Sequence, residues 1–233
     1  MTNRSRIAIA LVAVAGGIAA ANADVILTYT YHDLSGSYAA SSPNTGNFTA
    51  VAVNDPVNAL LSSGDVSRID GNPGTAGFEA GFVSALNPAD FVLGLTFVRN
   101  LGFPNLLGTG AGSFASTDAD GDTISGSIIG DWINDTVNGF LYFNGSLSNV
   151  VVTDNGAQDD LFNGTQLGTF QISGLGTQPF DGAITLLVFP STSGFFNGNF
   201  NDAATGVDGK VLPTPGALAL LGLGGLVTAR RRR

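Results

Sequence analysis

The sequence predicts an all-β protein: a single antiparallel β-sandwich, with a jelly roll as one form of it, flanked by an N-terminal signal helix and a short C-terminal hydrophobic helix. Three observations carry that expectation. Several stretches alternate apolar and polar residues with period two, the mark of a strand with one buried face. The 33 glycines and many Asn, Ser and Thr supply turn signals at short, regular spacing. Seventeen of the 18 acids are Asp, which favours turns and caps, and a single Glu79 and a single Lys210 leave little to dress an exposed helix.

Taken in order, Val25–Tyr31 and Phe48–Val53 are β-branched or aromatic runs. Phe78, Ala80 and Phe82 alternate with Gly77, Glu79 and Gly81, and Phe91, Leu93, Leu95 and Phe97 share one face of the run ending at Val98. Thr123–Ile128 repeats the pattern with hydroxyls outward, and Ala183–Phe189 is another strand candidate. Asn144-Gly145, between FLYF and SLSNVVVT, predicts a hairpin with a type I′ turn. A helical segment between Leu60 and Asp70 is weakly supported. Residues 24–196 are thus expected as the sandwich domain, and residues 197–212, low in hydrophobics, as a flexible linker to the tail.

The chain begins as a secretory signal peptide does. Arg4 and Arg6 precede an uncharged run from Ile7 to Ala21, and Ala21 and Ala23 are small residues at −3 and −1, predicting cleavage after Ala23. It ends on Pro213, Thr214, Pro215 and Gly216, then an apolar stretch to Ala229, then Arg230, Arg231, Arg232 and Arg233. A helix from Gly216 to Ala229 would span about 21 Å, short of the roughly 30 Å hydrocarbon core, which suits a transient anchor. The terminal arginines would hold the C-terminus in the cytoplasm and leave the domain outside.

This proline motif, apolar helix and basic stop resemble the PEP-CTERM sorting signal of exported bacterial proteins, over about the last 21 residues. The resemblance implies an exosortase-like sorting transpeptidase as partner, acting near Pro213–Pro215, with Thr214 standing where that family has Glu. Leu212–Gly216 also matches a Leu-Pro-x-Thr-Gly sortase signal at all but one place. A lipid-anchor tail ranks third, because such tails do not usually end in a basic cluster.

Between the ends, Asp24–Leu212 holds all 18 acids against three basic residues, Arg68, Arg99 and Lys210, a net −15 beside −9 for the whole chain. Such a surface repels phosphate backbones, so no nucleic-acid role is expected. With no cysteine, disulfides and thiolate sites are excluded. His32 is the single histidine and no Gly-x-Ser-x-Gly elbow accompanies it, so neither a Ser-His-Asp triad nor a multi-histidine zinc site is supported. Paired carboxylates abound, which makes a glycosidase reading uninformative.

Asp118, Asp120 and Asp122 stand at alternate positions in DADGD, the opening spacing of a Ca²⁺ loop. Thr123 and Ile129 then occupy the places where an EF-hand needs Gly and Glu, which leaves a simpler bound Ca²⁺ or a solvated turn. Asp159 and Asp160, near Asp154, form a second acidic loop. Trp132 with Phe140 and Tyr142 is a candidate sugar-stacking platform, with core packing as the competing use. The expectation is therefore a non-catalytic, exported structural or interaction protein of the cell envelope or extracellular matrix. The alternatives are a carbohydrate-binding surface module, with extracellular polysaccharide as partner, and an extracellular polysaccharide hydrolase.

Overall fold

The alternating stretches become strands whose apolar side chains face one enclosed interior, except that in the run from Gly77 only Gly77 and Phe78 are strand and residues 79–83 are not. The computed structural model describes residues 24–83, 89–102, 106–135, 139–166, 168–176, 178–189 and 196–214. The expected signal peptide, residues 1–23, and Pro215, Gly216, the apolar tail and Arg230–Arg233 lie outside them. Among the described residues the strands are β1 (Leu27–Ser42), β2 (Thr45–Val51), β3 (Asn54–Asp55), β4 (Leu60–Leu61), β5 (Ser63–Arg68), β6 (Gly74–Phe78) and β7 (Asp90–Arg99). They continue with β8 (Leu106–Thr117), β9 (Thr123–Asp135), β10 (Phe140–Thr153), β11 (Leu161–Asn163), β12 (Thr169–Gln171), β13 (Phe180–Val188) and β14 (Phe200–Leu212). No helix among them is long and apolar enough to cross a membrane.

The expected sandwich is corrected to a closed barrel. Strands β1, β2, β7, β8, β9, β10, β13 and β14 pair antiparallel in that order, and β14 returns to β1 with Leu27 opposite Val211 and Tyr31 opposite Val207. Closure satisfies both edges that an open sheet would leave unpaired. Strand β1 is long enough to branch: its second half pairs with β2, while its first half pairs with β5, which carries β6 outward as a ribbon. The weakly supported helix of residues 60–70 is thus β4 and β5.

Two further expectations change with the closure. Residues 200–212 are the closing strand and not a flexible linker. Phe200, Ala203, Thr205, Val207 and Val211 point inward, and the polar residues between them face out. One-sided burial halves the apolar content of such a strand, which is why its composition reads as linker. Asn144-Gly145 makes no turn, because β10 runs through it with β9 on one side and β13 on the other. The irregularity of β10 falls later, at Asn149 with φ 53°, where a bulge shifts the inward positions from Leu147 to Val150 and Val152.

Rings fill the interior. Trp132 lies 4.9 Å from Phe143, 4.9 Å from Phe196 and 5.0 Å from Phe48, centroid to centroid. A second group surrounds Tyr31, with Phe91 at 4.6 Å, Phe78 at 5.9 Å and Phe82 at 6.1 Å. Eight strands give a barrel just wide enough for side chains to fill. The outer face of β7 to β9 carries Thr96, Thr109, Ser113, Ser125 and Ser127 together with the exposed Val92, Val98 and Ile129.

Candidate metal centre

The turn between β8 and β9 folds around Asp118, which is fully buried. Its Oδ1 accepts the backbone N–H groups of Asp120 (3.1 Å), Gly121 (2.9 Å) and Asp122 (2.8 Å). Its Oδ2 accepts the N–H of Asn163 on β11 at 2.6 Å. Asp118 therefore organises its own turn and holds the β11 segment against it. The turn closes with Asp118 N–H on the Asp122 carbonyl, and Ala119 N–H reaches the Asn163 carbonyl at 3.1 Å.

Asp122, equally buried, reaches the other way. Its Oδ1 accepts N–H groups from Asn155 and Gly156, both at 2.7 Å, in the loop between β10 and β11. Asp120 Oδ2 accepts from Asn163 Nδ2 at 3.2 Å. Gly156 presses on this turn so closely that a Cβ there would lie 2.4 Å from the Asp120 carbonyl oxygen and 3.2 Å from its carboxyl carbon. Asp154, two residues before, follows Thr153, which pairs with Thr123, so its charge acts on Asp122, and its Oδ2 accepts the Asp160 N–H at 3.2 Å.

Asp118, Asp120 and Asp122 thus come together as their spacing predicts, each offering a carboxylate oxygen within 4.8 Å of the others. Burial pushes the Asp118 carboxyl up to about 7, against the pull of the N–H groups it accepts, and the adjacent Asp120 adds to the rise. Burial also raises Asp122; the Gly156 and Asn155 N–H groups oppose this, and the charges of Asp120 and Asp154 add to it. The ion pair formed among the described residues is Arg68 with Asp70 at 2.7 Å, away from this cluster. Oxygen-only donors of this kind suit a hard cation and offer nothing to a soft one.

Sequence reasoning missed that Asp154, Asn155, Gly156 and Asn163 join this centre. The acidic loop was visible, but no spacing along the chain signals that β9 and β10 return it to the β8–β9 turn. Asp159 and Asp160 serve their own segment, Asp159 accepting the Leu161 N–H and Asp160 the Ser173 N–H.

The other candidate residues lie elsewhere. Trp132 is wholly buried in the barrel, so of its two expected uses it takes core packing and not a sugar platform. The exposed ring beside Phe140 is Phe189, 5.5 Å away, with Tyr142 at 6.4 Å. His32 is exposed on β1. Pro213 and Thr214 continue directly from β14, with Thr214 Oγ1 donating to the Pro179 carbonyl.

The fold and site together define a closed eight-stranded antiparallel barrel with a two-loop acidic centre at one of its turns. No protein-family model, curated protein or solved structure matches the chain.

Proposed function

We propose that this chain is an exported protein of the cell envelope or extracellular matrix. In this reading it has a structural or interaction role and reaches its place through its C-terminal sorting tail. One observation carries the proposal: the barrel closes on β14, which ends at Leu212 and passes straight into Pro213 and Thr214, where the sorting-like motif begins. The signal-like N-terminus, the PEP-CTERM-like tail and the acidic domain support the same reading.

The test is the intact mass of the protein purified from its own cells. Loss of residues 1–23 and of everything beyond about Pro215 is the expected result, with any excess mass marking what was attached. A protein that keeps both ends and stays in the cytoplasmic fraction would overturn the proposal.

A further inference from the structure

Three buried carboxylate oxygens, two in the acidic cluster and one on Asp154 in the adjoining loop, accept no hydrogen bond from any described residue: Asp120 Oδ1, Asp122 Oδ2 and Asp154 Oδ1. Asp122 is the decisive one, because its side chain has no solvent exposure and its other oxygen is already taken by two N–H groups. Buried charges are paired or coordinate metals, and this oxygen is orphaned inside a cluster of like charges with no ion-pair partner among the described residues. The basic residues of the domain are engaged or face solvent: Arg68 binds Asp70 and the Gln171 and Ser173 carbonyls, Arg99 binds the Phe196 carbonyl, and Lys210 is exposed on β14.

We propose that Asp120, Asp122 and Asp154 ligate one Ca²⁺, which staples the β8–β9 turn to the loop between β10 and β11. The division of labour follows from the hydrogen bonds. Asp118 spends both oxygens on four backbone N–H groups and shapes the turn, whereas each of the three ligands keeps one oxygen free. Carboxylate oxygens from two irregular loops suit Ca²⁺, which takes six to eight oxygens in flexible geometry with water or carbonyls completing the shell. Mg²⁺ demands a stricter octahedron and gives up water reluctantly. The ion's mechanical effect falls on the β11–β12 hairpin, which enters the structure through Asn163 and packs Phe162 against Phe170 (5.1 Å) and Phe78 (6.5 Å).

The experiment uses the full chain stripped with EGTA and titrated with CaCl2 by calorimetry and by thermal melting, with MgCl2 in parallel. One Ca²⁺ per chain and a saturable rise in Tm of several degrees are expected, with a much smaller response to Mg²⁺. Asp122→Asn, which keeps an oxygen for the Asn155 and Gly156 N–H groups, and Asp154→Asn should each weaken binding at least tenfold, while Asp159→Asn should not. Should either variant fail to fold, Ca²⁺-dependent protection of residues 154–163 from hydrogen exchange in the wild type locates the ion. No heat and no Tm change in the wild type would mean that the carboxylates share protons instead. Wild-type binding by both variants would place any ion elsewhere. Either result overturns the proposal.

Discussion

Neighbouring aspartates in this barrel do different work according to what each oxygen finds. Asp118 is buried and saturated with donors, and Asp122 is buried with one oxygen bare. Asp90, at the start of β7, is a third kind. Its Oδ1 is buried with no partner, burial raises its pKa, and the Phe91 N–H pulls it partly back. A carboxyl whose folded pKa lies above its unfolded value of about 3.9 favours the native state while protonated. That contribution is complete below the unfolded value and is lost as the pH rises through the folded one. Asp90→Asn should therefore raise stability at pH 7 by about 1 kcal/mol, the scale of an unsatisfied buried polar atom. The gain should fade toward pH 3. Melting curves at pH 3, 5 and 7 check this, and a gain of equal size at all three would show that desolvation of the charge is not its cause.

Among the elements, β8, β9 and β10 share a feature that spacing along any one of them does not reveal. Gly110 pairs with Gly130, which pairs with Gly145, so three glycines form a row across three strands. The row lies beneath the Phe143 ring: a Cβ at 110 would sit 3.0 Å from that ring, at 130 2.8 Å and at 145 2.6 Å. Without side chains there, Phe143 lies over the row, and Trp132 packs against it at 4.9 Å with the rings tilted by 56°. Gly130→Ala should cost about 3 kcal/mol, at the upper end for an overpacked core, because its methyl would also meet the Asn144 carbonyl oxygen at 2.2 Å and the Gly145 Cα at 2.5 Å, both backbone. Gly94→Ala on β7, where nothing lies within 4 Å, should be neutral or slightly stabilising. Denaturant midpoints of the two variants decide the matter. Similar losses in both would mean that strand propensity, and not the packed row, governs these positions.

At the scale of the whole molecule the barrel depends on its last strand. A chain ending at Asn199 would leave β1 and β13 with bare edges and would remove Phe200, Val207 and Val211 from the interior. It should fail to give a cooperative melt, whereas a chain ending at Thr214 should melt as the full domain does. A stable, soluble product ending at Asn199 would restore the linker reading of residues 197–212.

The strands themselves were readable because period-two alternation is a local consequence of the pleat. Phe91, Leu93, Leu95 and Phe97 announce the inner face of β7 without reference to any partner. The spacing of Asp118, Asp120 and Asp122 likewise brought out half of the acidic centre. What the chain could not announce depends on partners distant in sequence. The same alternation builds either a sandwich or a barrel, and the pairing of Leu27 with Val211 decides between them. Asn144-Gly145 has strong turn chemistry, but strands on both sides hold it extended. Asp154 joins Asp122 only because β9 and β10 run antiparallel and return their ends to one place. Local sequence thus determined which residues face inward. Closure, the Phe143 glycine row and the fourth aspartate were decided by tertiary structure, since non-local pairing selects among conformations that are locally nearly equal in energy.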